Sequence, residues 1–106
     1  MDCLLLTDDL IFNQQVANGL GPNWSVKSAT QLTDSDWAGV VVDLNLGGLD
    51  CAAIVQFCQE KKIPLCGIAS HVHVAKIEAA KQAGIATVLT RGQVSSHLAS
   101  AMQPIA

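Results

Sequence analysis

The chain has 106 residues, of which half are hydrophobic and 14% are charged, and its formal net charge is −3. This length supports one domain, expected to span residues 1–106, and the apolar content excludes a disordered chain. The six Lys and Arg residues are spread along the sequence, which leaves no basic patch for nucleic acid. No apolar run approaches the roughly 20 residues of a membrane helix, and no cleavable leader is evident. We therefore expect a cytoplasmic protein without a membrane or nucleic-acid partner.

Short apolar runs alternate with helical patterns along the chain. Strands are predicted at 3–6, 24–28, 39–43, 64–69 and 87–89, and helices over about 10–20, 51–61, 74–84 and 94–103. Residues 29–38 are polar and have room for at most one helical turn. Five strands that alternate with helices predict an α/β fold, a three-layer doubly wound parallel sheet whose second helix is shortened or absent.

The apolar spacing also predicts which side chains face the core. For the four helices in order, these are Leu10, Ile11, Phe12, Val16 and Leu20; Ala52, Ile54, Val55 and Cys58; Val74, Ile77, Ala80 and Ala83; and Val94, Leu98 and Met102. Asp50 is a suitable N-cap for the helix that starts at residue 51. Trp24 and Trp37 are predicted to be packing anchors around the short second connection. The four cysteines form no CxxC pair, which predicts reduced, buried thiols.

Three carboxylates follow the ends of two strands, Asp8 and Asp9 after the first strand and Asp43 at the end of the third. These strands are neighbours where a doubly wound sheet reverses its order, so the acids are expected to meet in one crevice. Crowded carboxylates either rise in pKa or recruit a hard cation, and Mg²⁺ prefers such oxygen ligands. A carboxylate beside Mg²⁺ can accept a phosphoryl group. Arg91, after the fifth strand, places a cation near the same crevice.

A plainer interpretation is open for each acid. An Asp-Asp pair after a strand is also a common helix N-cap, and Asp43 could cap the glycine turn that follows it.

The chain resembles response-regulator receiver domains along essentially its whole length. The segments that carry this resemblance are Leu4-Leu5-Leu6-Thr7-Asp8-Asp9, Val41-Val42-Asp43-Leu44-Asn45-Leu46 with Asp50 beyond, Ile63-Pro64-Leu65 through His71, and Ala83-Gly84 through Thr90-Arg91. The resemblance implies a flavodoxin-like strand order, 2-1-3-4-5.

The resemblance also implies roles for the acids. Asp9 and Asp43 would bind Mg²⁺ directly, together with the Asn45 carbonyl, and Asp8 would act through water. Asp43 would accept the phosphoryl group. The implied protein is a signalling module and not an enzyme, and its partner is a histidine kinase or another signalling protein. A homodimer would form through the helix at 74–84, the fifth strand and the last helix.

Several residues that respond to phosphorylation in receiver domains are different in this chain. Receivers have Thr or Ser at the end of the fourth strand, where this chain has Ala69 followed by Ser70. An aromatic switch residue is replaced by Val88, and the Lys after the fifth strand is replaced by Arg91. Arginine keeps the positive charge but changes its reach and hydrogen-bond geometry. Gly47 replaces the proline of the turn after the phosphoacceptor.

The segment after the fourth strand has two interpretations. Ser70 or His71 either caps the following helix or reaches into the crevice, with Ser70 as the candidate substitute for the missing Thr. His71 and His73 are two residues apart and share no helix face, which argues against a metal pair.

Four functional hypotheses remain open on the sequence. The chain is a phosphorelay receiver phosphorylated on Asp43 with altered switch residues, or a pseudo-receiver that signals through a fixed interface without phosphorylation. A third hypothesis is a small phosphate-handling enzyme on the same fold, and a fourth is a purely structural partner domain. The absence of a Gly-rich phosphate loop before the first helix argues against the enzyme.

Overall fold

The strands and helices follow the predicted alternation. The computed structural model describes residues 1–70 and 73–103. Within these ranges the strands are β1 (Asp2–Leu6), β2 (Ser25–Ala29), β3 (Gly39–Asp43), β4 (Leu65–Ala69) and β5 (Thr87–Thr90). The helices are α1 (Leu10–Leu20), α2 (Cys51–Lys61), α3 (Val74–Gln82) and α4 (Val94–Ala101), and a short 3₁₀ turn covers Arg91–Gln93.

All strand pairs are parallel and the sheet order is β2-β1-β3-β4-β5, which confirms the predicted fold class and strand order. The bounds of β3, α1 and α2 match the predictions, and the other elements differ from them by one or two residues at an end. Asp50 caps α2 as predicted, because its side chain accepts a hydrogen bond of 3.0 Å from the Ala53 N–H. No helix in the described part of the chain is both long and apolar enough to cross a membrane.

The sheet has a hydrophobic core on each face, because successive side chains of a strand point to opposite sides. One core lies between the sheet and the α1 and α4 helices, and the other lies beneath α2 and α3. Every residue of β3 is buried, as expected for the central strand of a sheet covered on both faces. The largest fully buried side chains of the two cores include Leu4, Leu5, Leu6, Phe12, Ile68, Ile85 and Leu98.

The connection between β2 and β3 forms no helix and covers the sheet with single side chains instead. Leu32 and Trp37 pack against the core beneath α2. The Trp37 indole N–H donates a 3.0 Å hydrogen bond to the Thr33 carbonyl, which fixes the ring over the connection. Trp24 packs against the core on the opposite face. Both tryptophans are therefore packing anchors, as predicted.

At the start of three helices, residues that were predicted to face the core are exposed, so these predictions were wrong. Leu10 and Ile11 are 83% and 75% exposed, Val74 is 62% exposed, and Ala52 is also exposed. Helix α1 buries Phe12 and the residues four and eight positions later. Each residue turns the helix by about 100°, so the two positions before Phe12 point away from the sheet.

The cysteine thiols differ in burial, and this difference predicts their order of reaction. In the described residues all four are free thiols, with Cys3, Cys58 and Cys66 buried and Cys51 partly exposed. Burial raises the pKa of Cys3 and of Cys66 to about 12 and that of Cys58 to about 11. The pKa of Cys51 is also raised, first by burial and then by the nearby Asp50 carboxylate.

An alkylating reagent is expected to label Cys51 first in the native protein, because a thiol reacts as an accessible thiolate. The other three thiols should react only after the chain unfolds. Peptide mass spectrometry after brief native and denatured labelling checks this order. Labelling of Cys3 or Cys66 as fast as Cys51 in the native protein would contradict the buried arrangement.

Candidate functional site

Asp43 ends β3 as a buried carboxylate with hydrogen bonds to both oxygens. The residue is 2% exposed. Its Oδ1 accepts a 3.0 Å hydrogen bond from the Asn45 N–H, and its Oδ2 accepts one of 2.7 Å from the Thr7 hydroxyl. A buried carboxylate is costly unless it is hydrogen-bonded or paired with a cation. These two hydrogen bonds therefore offset part of the cost of burying the Asp43 carboxylate at the strand end.

Thr7 is a site residue that the sequence analysis missed. It follows β1 and is only 3% exposed. Its hydroxyl donates to Asp43 and accepts a 3.1 Å hydrogen bond from the Asp9 N–H, so one side chain links the β1 loop to the end of β3. The signal in the sequence was a hydroxyl at the end of a buried strand beside two acids, because a buried hydroxyl needs a partner.

The two acids after β1 have different surroundings. Asp9 is the N-cap of α1, since its Oδ1 accepts hydrogen bonds from the N–H groups of Ile11 at 3.0 Å and Phe12 at 3.2 Å. Asp8 is exposed to solvent. The capping interpretation of the Asp-Asp pair is thus confirmed for Asp9, which leaves its Oδ2 directed to other partners.

Arg91 contacts both the Asp9 and the Asp43 carboxylates. Its Nη1 lies 3.7 Å from Asp9 Oδ2, and its Nη2 lies 3.6 Å from Asp43 Oδ2. The guanidinium carbon is 4.4 Å from the centre of the buried Phe12 ring, within the range of a cation–π contact. The predicted cation near the crevice is confirmed, and Arg91 bridges the two acids.

The turn after β5 fixes where the Arg91 side chain begins. Thr90 and Gln93 form a capping box, in which the Thr90 side chain accepts from the Gln93 N–H. In return, the Gln93 side-chain oxygen accepts a 3.0 Å hydrogen bond from the Thr90 N–H. Such reciprocal bonds satisfy the free N–H groups at the start of a helical turn. Arg91 is therefore the first residue of a defined 3₁₀ turn.

With Arg91 in this position, the side chains around Asp43 leave no place for a divalent ion shared by Asp9 and Asp43. Within residues 1–70 and 73–103, no group of three or more His, Cys, Asp or Glu side chains could hold a metal ion. The Arg91 guanidinium faces the oxygens that an ion shared by Asp9 and Asp43 would need, and two cations repel at this range. The ligand roles of Asp8, Asp9, Asp43 and the Asn45 carbonyl stay predictions.

Two positions that are expected to respond to phosphorylation, one in β4 and one in β5, carry apolar side chains. Ala69 is the last residue of β4 and is fully buried, and Val88 lies in β5 and is partly buried. Neither side chain can donate a hydrogen bond. A phosphoryl group on Asp43 would therefore lack two of the contacts implied by the resemblance.

Ser70 directly follows β4 but does not cap the next helix. The N-cap of α3 is His73, and the Ser70 carbonyl accepts a 3.0 Å hydrogen bond from the His73 N–H. The capping interpretation of Ser70 was therefore wrong. In the described part of the chain no hydrogen bond joins Ser70 to Asp43, and its role as a substitute for Thr stays a prediction. His71 lies outside the described residues.

Comparison with known proteins agrees with the sheet topology. No protein-family model matches the sequence, and no curated protein matches it. A solved structure of a response regulator protein from Burkholderia pseudomallei, with a phosphorylated aspartic acid, a calcium ion and citrate, matches 96% of this chain with a TM-score of 0.72. The chain has the receiver fold. Its sequence identity to that protein is 18%, and it spans 66% of that protein's length.

At this identity the comparison establishes the receiver fold, while residue roles depend on the geometry around Asp43. In the receiver fold of this chain, the loops after β1, β3 and β5 bring Thr7, Asp9, Asp43 and Arg91 together. These loops belong to strands separated by up to about eighty residues in sequence, which is why topology and not local pattern creates the site.

Proposed function

We propose that this chain is a receiver-fold signalling module that acts by protein–protein contact and keeps Asp43 unphosphorylated. The observation that carries this proposal is the buried Asp43 carboxylate, both of whose oxygens accept hydrogen bonds. A carboxylate oxygen has to be reached by the phosphodonor to attack phosphorus, and Asp43 is 2% exposed. To expose Oδ2, the site would have to break the 2.7 Å bond from Thr7 and move Arg91 aside.

The apolar residues at Ala69 and Val88 support the same proposal. A phosphoryl group shifts a conformational equilibrium only through contacts that differ between the two states. Neither side chain can supply a hydrogen bond to the phosphoryl oxygens. A fixed interface is therefore the better explanation for a receiver fold with this site.

Exposed apolar side chains beside the site favour a protein partner. Leu10 and Ile11 follow Asp9 directly and project into solvent from the first turn of α1. Two adjacent apolar side chains provide contact area for a protein partner, whereas a small phosphate substrate would need polar groups. The proposed partner is a histidine kinase or another signalling protein.

One observation favours the alternative of a phosphorelay receiver that is phosphorylated on Asp43 with Mg²⁺. Asp43 ends the third strand of a receiver fold, and the similar Burkholderia pseudomallei structure contains a phosphorylated aspartic acid. The two functions differ in whether Asp43 forms an acyl phosphate.

Incubation with a small-molecule phosphodonor and Mg²⁺, followed by intact-protein mass spectrometry, separates them. We expect no phosphoryl adduct, and we expect beryllofluoride with Mg²⁺ to leave the amide NMR spectrum unchanged around Asp43, Ala69 and Val88. An adduct that forms on the wild type and disappears in the Asp43→Asn variant would refute the proposal and favour the phosphorelay receiver. Sustained hydrolysis of a phosphomonoester that requires Asp43 would instead favour the enzyme.

A further inference from the structure

We infer that Arg91 is the resident cation of the Asp43 site and takes the place of a divalent metal ion. The inference rests on the proposed function in one respect, since it treats Asp43 as unmodified. It adds that the Arg91 guanidinium compensates the negative charge of the site. The stability of the protein is therefore expected to be independent of metal ions.

The Arg91 guanidinium lies at nearly the same distance from both carboxylates. Its two terminal nitrogens lie 3.7 Å from Asp9 Oδ2 and 3.6 Å from Asp43 Oδ2. One positive charge thus faces two negative ones. A divalent ion shared by Asp9 and Asp43 would have to approach the guanidinium closely, and the two cations would repel each other. Mg²⁺ entry therefore requires Arg91 to leave.

Contacts other than charge hold the guanidinium in this position. The Phe12 ring beneath it is fully buried, and the capping box of Thr90 and Gln93 fixes the backbone from which the side chain extends. Ring stacking and a fixed fork of donors are properties of arginine that lysine lacks. The replacement of lysine by arginine in this chain thus allows one cation to contact both acids and the ring.

The burial of Asp43 distinguishes this cluster from an ordinary surface ion pair. Solvent screens the exposed part of Arg91, which is 36% exposed, but the Asp43 carboxylate is 2% exposed and is screened far less. The Lys27–Asp2 pair has a similar separation of 3.9 Å, but its side chains are 62% and 49% exposed. Lys27 therefore provides a matched control.

The test compares the thermal stability of wild type, Arg91→Ala, Arg91→Lys and Lys27→Ala, each with a chelator and with millimolar Mg²⁺ at equal ionic strength. The wild-type Tm should not respond to Mg²⁺. Arg91→Ala should lower Tm by roughly 5 °C in chelator, and Mg²⁺ should recover part of that loss. Arg91→Lys should show a smaller loss of Tm in chelator and a smaller recovery of Tm with Mg²⁺. Lys27→Ala should show neither a loss of Tm nor a response to Mg²⁺.

Two outcomes would overturn the inference. One is a wild-type Tm that rises with Mg²⁺ as much as that of Arg91→Ala, and the other is an Arg91→Ala variant that is insensitive to Mg²⁺. Amide NMR supplies a second readout, because Mg²⁺ should shift the Asp9 and Asp43 amides in Arg91→Lys or Arg91→Ala but not in wild type. If either Arg91→Ala or Arg91→Lys does not fold, the response of the remaining variant to Mg²⁺ still tests the inference.

Two results distinguish a failure of the proposed function from a failure of this inference. An acyl phosphate formed on Asp43 in the presence of chelator would refute the proposed function and leave Arg91 as the resident cation. Mg²⁺ binding by the wild type without any phosphoryl adduct would refute the role of Arg91 as resident cation and leave the proposed function standing.

Discussion

A Thr7→Val variant should lose about 2 kcal/mol of unfolding free energy, because the change leaves a buried carboxylate oxygen without its hydrogen-bond donor. Valine has nearly the shape of threonine, so the packing around residue 7 is preserved while the 2.7 Å bond to Asp43 Oδ2 is removed. The Asp9 N–H also loses its acceptor at 3.1 Å. Urea unfolding followed by the fluorescence of Trp24 and Trp37 measures the loss.

Three further variants assign the loss to the contact with Asp43. Thr7→Ser keeps the hydroxyl and should recover most of the stability. Thr30→Val makes the same substitution at an exposed position and should change little. In an Asp43→Asn background the effect of Thr7→Val should shrink, because no charged oxygen is left uncompensated. An equal loss in both backgrounds would mean that Thr7 acts by packing and not through Asp43.

A Gly19→Ala variant should also be less stable than wild type by about 2 kcal/mol, through overpacking between two helices. A methyl group at residue 19 of α1 would lie 2.7 Å from the Val94 carbonyl oxygen and 3.0 Å from Val94 Cγ1. The carbonyl belongs to the backbone of α4, so it cannot rotate away and the helices must separate. This penalty outweighs the roughly 1 kcal/mol that alanine gains over glycine within a helix.

Gly47→Ala is the matched control for this substitution. A methyl group at residue 47 would meet nothing within 4 Å. The control should therefore change the stability by less than about 0.5 kcal/mol. If Gly19→Ala matched Gly47→Ala in thermal or urea unfolding, the close approach of α1 and α4 would not be a determinant of stability.

The fold could be predicted from sequence because its signals are local and repeated. Continuous valine in β3 indicated a strand buried on both faces, and Asp50 marked the start of α2. The exposure of Leu10, Ile11 and Val74 could not be predicted in the same way. Apolar spacing identifies a stripe on a helix, but where the first turn lies relative to the sheet depends on tertiary packing.

The site could be predicted only in part, for a related reason. Asp9, Asp43 and Arg91 lie at or just after strand ends, and the topology brings these three residues together as predicted. Asp8, which was predicted to join the same crevice, is exposed to solvent and makes no hydrogen bond or ion pair with Asp43 or Arg91 in the described part of the chain. The contact of Thr7 with Asp43 depends on side-chain rotamers and on hydrogen-bond satisfaction across two strands. A threonine after a strand has many ordinary roles, and only the structure identifies its partner.

Strand β2 has a consequence for how this chain behaves beside copies of itself. It lies at one edge of the sheet, and residues 30–38 connect it to β3 without forming a helix. Its residues Ser25, Lys27 and Ser28 are exposed. An edge strand with a lysine and short polar side chains is a poor template for a strand from another molecule, because pairing would bury a charge and gain little apolar contact. In a chain that is half hydrophobic, this edge opposes aggregation.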